Sequence, residues 1–334
     1  PLLTHYLFKY KAWKKTAGKT ALDGTAAVEF ERIRNEMHPD TETKTPRMGG
    51  ILVWASVAAV TLVLWGIARI VPTAFTEKLD FLSRSQTWIP FTTLISGGVM
   101  GFVNDYLDVR PEGERGLSLR FRLIFVTAVA TLVGWWFHAK IGMHSIGVPG
   151  DGTLELGALI IPLFIIVSLV IYAGGIIDGI DGLSGGIFGS IFMAYAGIAY
   201  AQNQINLAAF CATVVGAILA FLWFNIPPAR FWMTETGTMG LTMTLAVVAF
   251  LTDTPAGGYG VMALPVIAFP LVVTVASNII QVLSKKYRGK KVFRIAPLHH
   301  HFEAIGWPSY KVTMRYWVIS IVFAIIGMTV ALIK

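Results

Sequence analysis

Nine apolar runs, each close to the length of a bilayer-crossing helix, dominate this 334-residue sequence. A hydrocarbon core takes about 20 apolar residues per helix, and 55% hydrophobic against 14% charged residues is far from a soluble composition. The runs pass through Gly and Pro, as membrane helices tolerate, and lack the alternation of barrel strands. We therefore expect an all-α integral membrane protein, a polytopic helical bundle forming a single transmembrane domain. The nine predicted spans are 50–71, 87–107, 121–138, 154–174, 183–201, 205–226, 237–251, 258–283 and 316–333.

Basic residues are distributed unevenly between the two sides of these spans. Of the 27 Lys and Arg residues, 22 fall on one side, which the positive-inside rule assigns to the cytoplasm. The net charge of +8 therefore faces anionic lipid headgroups and phosphorylated metabolites. No basic soluble module accompanies the charge, so nucleic acid is not an expected partner. The predicted cytoplasmic loops are 1–48, 105–122, 175–182, 225–238 and 284–315.

Carboxylates cluster at the cytoplasmic ends of the spans. Asp178 and Asp181 lie in a Gly-rich loop, and their i, i+3 spacing would place both on one side of a helical turn. Such oxygen ligands suit a divalent cation carrying phosphate, although loop aspartates can equally cap the next helix. Asp105 lies at the end of an apolar run, where a carboxylate without a partner is costly. Glu235 adds another carboxylate on the same side.

Five other side chains on this side have more ordinary interpretations. Lys44, Arg120 and Arg122 fit interfacial anchors, although Lys44 precedes a Pro and Gly-Gly turn that could face phosphate. Trp232 could belong to an aromatic belt or could stack on a nucleobase. Gln281 is a polar group within a span and requires a partner.

Three consecutive histidines, His299, His300 and His301, occur between the last two spans. Adjacent side chains diverge, so the three cannot all reach one metal ion. Imidazoles near phosphates donate hydrogen bonds or shuttle protons near neutral pH, which favours a role in chemistry over a structural one.

Several cytoplasmic segments, in this order, resemble the motifs of the phospho-N-acetylmuramoyl-pentapeptide transferases, in the polyprenyl-phosphate N-acetylhexosamine-1-phosphate transferase superfamily. The resemblance runs from about residue 40 to the C-terminus. Its most diagnostic part is the Ala-Pro-Leu-His-His-His-Phe-Glu stretch. The matching segments are 44–50, 101–106, 177–183, 221–225, 232–238 and 296–303.

The resemblance implies a Mg²⁺-dependent reaction at a bacterial inner membrane. Undecaprenyl phosphate attacks the β-phosphorus of UDP-N-acetylmuramoyl-pentapeptide, which releases UMP and forms the first lipid intermediate of peptidoglycan synthesis. Such enzymes have ten spans, so the first would precede Pro1, and the family suggests a homodimer in contact with membrane lipids. A cytosolic nucleotide must meet a membrane-bound phosphate, which places the site at the cytoplasmic ends of the spans.

The family's motifs also imply roles for individual residues. The catalytic residues would be Asp105, Asp178 and His299. The metal ligands would be Glu235 and Asp178. The substrate-binding residues would be Lys44, Asn225, Trp232, Asp181, Gln281, His300 and His301.

The departures from the family's pattern include five positions in the predicted site segments. Asn104 and Glu235 stand where the family has Asp, Gly175 where it has Asn, and Lys44 and Arg47 where it has Gly and Thr. These changes leave open a transferase for another UDP-N-acetylhexosamine, a paralogue of low activity, or a binding-only pseudoenzyme. A secondary transporter is the alternative from another class, but transporters place their sites near the membrane midplane, whereas the acids here lie at one face.

Overall fold

The structure, a computed structural model, describes residues 2–14, 44–82, 86–110, 116–150 and 152–333. Two of the predicted loops, 1–48 and 105–122, lie partly outside these residues. The α-helices in chain order are α1 (Leu2–Lys9), α2 (Ile51–Ile70), α3 (Ala74–Leu79), α4 (Trp88–Asp108), α5 (Leu119–Trp136), α6 (Ile160–Ala173), α7 (Leu183–Ala201), α8 (Ile205–Asn225), α9 (Thr234–Leu251), α10 (Gly260–Ile267), α11 (Phe269–Arg288), α12 (Leu298–Ala304) and α13 (Ser309–Leu332). Short π and 3-10 turns occupy Phe137–Ile141, Gly157–Leu159, Gly174–Ile177 and Thr254–Ala256.

A helix forms at each predicted span, which confirms the expected all-α membrane fold. Within the described residues, seven helical segments are long and apolar enough to cross a membrane, and the α10–α11 pair raises the number to eight. The predicted span 87–107 is a 21-residue helix, α4, but it is not among those eight. The count of nine spans therefore exceeds the seven or eight that composition supports. The chain is a multi-pass membrane protein.

The predicted span 258–283 is not one continuous helix, which corrects the prediction. It breaks at Ala268 into α10 and α11, whose axes differ by 69°. Pro270 lies in the first turn of α11 and lacks the N–H that a continuous helix would use. The apolar composition does not change across the break, so hydropathy alone missed it.

A two-stranded hairpin replaces the start of the predicted span 154–174. Strands β1 (Ser145–Val148) and β2 (Gly152–Glu155) pair antiparallel, with Ser145 opposite Glu155. The carbonyl oxygen of His144 then accepts hydrogen bonds from the N–H groups of Leu156 and Gly157. The hairpin lies at the opposite end of the bundle from the predicted site residues.

Helix α9 is the centre of the bundle. Every residue from 236 to 251 is buried, and the most extensive helix–helix contact joins α9 to α4. A Cβ on Gly101 would lie 2.0 Å from the carbonyl oxygen of Glu235, so only glycine permits this approach. The hydroxyls of Thr238 and Thr242 donate to backbone carbonyls one turn earlier, which satisfies them inside the core. The close packing brings the end of α4 against the first turn of α9.

Candidate active site

Asp105, at the end of α4, is fully buried against the first turn of α9. Its Oδ2 accepts hydrogen bonds from the Thr234 hydroxyl at 2.5 Å, from the Thr236 N–H at 2.8 Å and from the Thr236 hydroxyl at 2.6 Å. Its Oδ1 accepts one from Asn104 Nδ2 at 3.2 Å. The first N–H groups of a helix have no partner within the helix, and a carboxylate there is favoured by the helix dipole. Asp105 therefore caps α9 from another part of the chain.

Asp178 binds the same turn of α9 from the other side. Its Oδ2 accepts the Thr234 N–H at 2.7 Å, and its Oδ1 accepts the Ser184 hydroxyl at 2.6 Å. Removal from water raises the pKa of Asp178, and the hydrogen bonds from Ser184 and Thr234 oppose that rise. Thr234 thus joins the two predicted catalytic carboxylates, Asp105 through its hydroxyl and Asp178 through its N–H.

Asp181 holds the segment that leads into α9. Its Oδ2 accepts the N–H of Ala229 at 2.9 Å, and its Oδ1 accepts the indole N–H of Trp232 at 3.0 Å. The N-cap of α7 is Gly182, with no side-chain cap, so neither aspartate of the loop has the capping role considered for it. Asp181 and Trp232 were both predicted to bind substrate. The structure brings them together, and their substrate roles stay predictions.

Asn225 fastens the same loop from the end of α8. Its Oδ1 accepts the Gly182 N–H at 3.0 Å, and its Nδ2 donates to the carbonyl of Phe231 at 2.9 Å. Asn225 is buried, with 1% exposure. Both polar ends of this predicted substrate-binding side chain therefore contact backbone.

His299 and His300 point toward the loop that carries Asp178. A Cβ on Gly179 would lie 2.5 Å from Nε2 of His299 and 2.7 Å from Nε2 of His300, so a residue with a side chain would collide with both rings. Nδ1 of His300 lies 2.7 Å from Oε2 of Glu303, whose other oxygen accepts the Ser309 hydroxyl at 2.5 Å. A carboxylate at Nδ1 fixes the ring and leaves Nε2 directed at Gly179.

Two predicted substrate-binding residues, Gln281 and His301, make their hydrogen bonds with other parts of the chain. Gln281 accepts the N–H groups of Val292 and Phe293 and donates to the Phe293 carbonyl at 2.8 Å, so it holds the loop after α11. His301 turns away from its neighbours, as predicted, and its Nδ1 accepts the Arg294 N–H at 3.2 Å. Lys44 is exposed. The substrate-binding assignments of these residues stay predictions.

Glu235 contacts a cation of the chain itself. Its Oε1 accepts a hydrogen bond from Nη1 of Arg122, and the hydroxyl of Tyr172 lies 3.5 Å from both carboxylate oxygens. Arg122, which the sequence suggested as an interfacial anchor, is therefore part of the site.

The arrangement does not fit a bound divalent cation. Hard cations such as Mg²⁺ require several free oxygen ligands. Of the expected ligands, Glu235 is paired with Arg122, and both oxygens of Asp178 accept protein hydrogen bonds. Within the ranges described, no group of three or more His, Cys, Asp or Glu side chains is placed to hold a metal ion.

Sequence reasoning missed four residues of the site: Arg122, Thr234, Ser184 and Glu303. Thr234 has a φ of +54°, an uncommon conformation for a β-branched residue, and it stands where the family motif has Gly. The presence of Thr where the family has Gly could therefore have indicated, from the sequence, that this position is unusual. The contact between Arg122 and Glu235 joins residues 113 apart in sequence, and no local pattern indicates it.

A separate apolar groove of about 590 Å³ opens between α4 and α5. Its lining runs from Phe91 to Val103 on α4 and from Leu117 to Phe125 on the other side. It contains none of the predicted site residues. The candidate active site is therefore the cluster of polar side chains around the first turn of α9.

The chain is similar in sequence to known transferases. A sequence profile of glycosyl transferase family 4 matches residues 87–253, which include α4, α9 and the loop of Asp178. A phospho-N-acetylmuramoyl-pentapeptide-transferase of Geobacillus sp. (strain WCH70) is 35% identical over 290 residues, 86% of this chain and 83% of the relative. The protein of that name from Bacillus subtilis (strain 168) is 32% identical over 308 residues, 90% of this chain and 89% of the relative. The chain therefore belongs to glycosyl transferase family 4, among the phospho-N-acetylmuramoyl-pentapeptide-transferases.

Proposed function

We propose that this protein transfers phospho-N-acetylmuramoyl-pentapeptide from its UDP conjugate to undecaprenyl phosphate. The products are UMP and a diphosphate-linked lipid, the first lipid intermediate of peptidoglycan synthesis. The protein acts in a bacterial inner membrane with its site facing the cytoplasm, the side to which 22 of the 27 basic residues are assigned. A homodimer and specific contacts with membrane lipids are further predictions.

The observation that best supports the proposal is the convergence on Gly179. The Nε2 atoms of His299 and His300 approach this glycine from one side, and the neighbouring Asp178 binds the first turn of α9. Because Gly179 has no Cβ, both imidazoles lie directly against the backbone of this loop, which places two Nε2 atoms beside Asp178. The convergence lies at one end of membrane-crossing helices, where a soluble nucleotide can meet a lipid phosphate.

The chemistry of phosphoryl transfer explains why this arrangement suffices. The reaction requires in-line positioning and neutralisation of the phosphate charge more than covalent participation by the protein. In the proposal, His299 donates a hydrogen bond to the diphosphate through Nε2, and His300 does so as an imidazolium whose Nδ1–H is held by Glu303. Trp232 lies beside the site for the uracil ring, held by its bond to Asp181.

Asp105 has a positioning role in this proposal. The side chain has 0% exposure, and its hydrogen bonds hold Thr234 and Thr236. It therefore fixes the first turn of α9, which carries Glu235 and is bound by Asp178. The prediction that Asp105 activates the attacking phosphate directly has no support from this buried position and stays a prediction.

The relatives belong to a class of transferases that commonly uses a divalent metal. A magnesium ion would neutralise charge on the diphosphate. Because the described side chains do not form a site for it, the proposal includes no step that passes through the ion, and dependence on Mg²⁺ stays a prediction.

The test is a panel of UDP-sugars supplied to the purified protein with undecaprenyl phosphate, scored by UMP release. Release with UDP-N-acetylmuramoyl-pentapeptide, at least about tenfold above other UDP-N-acetylhexosamines, is the expected result. Preference for another donor would make the protein a transferase for that sugar. No release with any donor, with and without Mg²⁺, would contradict the proposal and favour a pseudoenzyme.

A further inference from the structure

Arg122 is the cation nearest to the expected metal ligand. It lies in the first turn of α5, and it reaches Glu235 in the first turn of α9. The two side chains keep 21% and 26% exposure, so the pair is accessible to a ligand yet partly shielded from water. A partly shielded pair is screened less by salt than a surface pair.

The guanidinium has donors that the protein does not use. Nη1 is directed at Glu235, whereas the Nε–H is shielded from solvent and has no acceptor among the described residues. A guanidinium carries five N–H donors in a planar fork, which matches two oxygens of a phosphate. Glu235 and the Tyr172 hydroxyl therefore hold part of the guanidinium, and its 21% exposure leaves part of the fork accessible to an anion.

Two of the usual alternative donors at this place are already engaged. A helix N-terminus binds phosphate through its first N–H groups, but the N–H groups of Thr234 and Thr236 donate to Asp178 and Asp105. A phosphate arriving at the first turn of α9 therefore meets carboxylates, and it requires a cation to offset them. Arg122 is placed to supply that charge.

We propose that Arg122 is the resident cation of this site and that it binds the donor's diphosphate in the place of a divalent metal ion. Glu235 acts as a positioning residue for the guanidinium and not as a metal ligand. The inference rests on the proposed function, because it specifies how that function's nucleotide diphosphate is held.

The first test measures UDP binding to the full-length chain in detergent by isothermal titration calorimetry, once with EDTA and once with Mg²⁺. We expect the two dissociation constants to agree within about threefold. Arg122→Met should weaken binding about tenfold to a hundredfold in both buffers, the effect of losing charge-assisted hydrogen bonds. Arg122→Lys keeps the charge but not the fork and should weaken binding less.

The matched control is Arg120→Met, which removes an exposed arginine from the same helical turn and should leave the UDP affinity unchanged. Thermal unfolding of each variant shows whether it is folded. The inference would be overturned if EDTA abolished UDP binding, Mg²⁺ restored it, and Arg122→Met bound UDP as the wild type does.

The second test is independent of the nucleotide. Electron paramagnetic resonance of Mn²⁺ mixed with the nucleotide-free protein should show no stoichiometric binding. One bound Mn²⁺ per chain, lost in Glu235→Gln, would overturn the inference and make Glu235 a metal ligand. Absence of UDP binding in both buffers would instead contradict the proposed function, and the manganese result would still decide whether Glu235 is a metal ligand.

Discussion

The two ends of α9 each carry buried aspartates, and the two ends use them differently. At the C-terminal end, Asp253 accepts the N–H groups of Gly147, Thr254 and Val261 at 2.7, 2.9 and 2.8 Å. All three donors are backbone, from the hairpin, a 3-10 turn and α10. Asp253 therefore joins three segments and serves architecture alone.

At the N-terminal end, the carboxylates bind side-chain hydroxyls and a cation as well as backbone N–H groups. Asp105 and Asp178 both bind Thr234, and the adjacent Glu235 binds Arg122. Asp178, Glu235 and Arg122 are only partly buried, whereas Asp253 has 0% exposure. Asp253 binds only backbone and is enclosed, whereas Asp178 and Glu235 keep a route to solvent. Asp105 is also enclosed, but it binds the hydroxyls of the turn that carries Glu235. Substitutions at the two ends test this distinction.

The largest expected effect is that of Asp105→Asn on catalysis. An asparagine has one acceptor oxygen, and its amide would face the donors Thr234 and Thr236, so the first turn of α9 would shift. Displacement by about 1 Å of groups that position a reaction can cost about a hundredfold, and we expect UMP release to fall at least that far. Initial rates at saturating donor provide the measurement.

The control for this prediction comes from the other end of α9. Asp253→Asn disturbs a buried aspartate of equal exposure and should leave UMP release per folded molecule within about twofold. Full activity in Asp105→Asn would remove Asp105 from the mechanism, and equal losses in both variants would erase the distinction between the two ends.

The second prediction concerns stability. Asp253→Ala leaves three buried N–H groups without their acceptor, at about 1 kcal/mol each, so unfolding should become easier by about 3 kcal/mol. For a chain of this size the unfolding midpoint should fall by about 5 °C. Glu155→Ala, which removes an exposed carboxylate at the same end, should leave the midpoint unchanged. A midpoint equal to that of the wild type would show that Asp253 does not fasten the three segments.

The sequence was sufficient to predict the helices of this fold and the end of the bundle at which the carboxylates lie. The reason is physical. A bilayer fixes the length of an apolar helix, and the distribution of Lys and Arg separates the two sides. Asp105, Asp178 and Glu235 could therefore be placed near one another before any contact was known. The bend at Ala268 and the hairpin of β1 and β2 lie within apolar or Gly-rich stretches whose composition does not reveal them.

The sequence could not predict what each polar side chain contacts. Asn225, Asp181 and Gln281 have the residue types of ligand-binding positions. Asn225 and Gln281 bind only backbone of this chain, and Asp181 binds the Ala229 N–H and the Trp232 indole. Whether a polar side chain faces a substrate or a neighbouring loop depends on contacts between distant segments. Arg122 shows the converse, because an apparent interfacial anchor binds Glu235.

The third prediction is a smaller catalytic effect, at Glu303. Glu303→Gln removes the charge that holds Nδ1 of His300, and the loss of such an orienting carboxylate typically costs about tenfold. We expect kcat to fall by that factor and the UDP affinity to fall by no more than that factor, because one of the two proposed diphosphate contacts, Nε2 of His299, remains in place. The control is Glu77→Gln, an exposed position on α3. An unchanged kcat would show that Glu303 does not position His300.

The smallest expected effect is that of Thr234→Gly on stability. Glycine relieves the strain of a β-branched residue at positive φ, about 1 kcal/mol, and loses the hydroxyl bonds to Asp105 and from the Met48 N–H, about 1 kcal/mol each. The net loss is about 1 kcal/mol, so the unfolding midpoint should fall by less than about 2 °C. Thr234→Val keeps the strain and loses only the hydroxyl, so it should be the less stable variant. If the Thr234→Val variant were as stable as the wild type, the Thr234 hydroxyl would contribute nothing to the free energy of unfolding. Asp105 would then hold α9 through Thr236 alone.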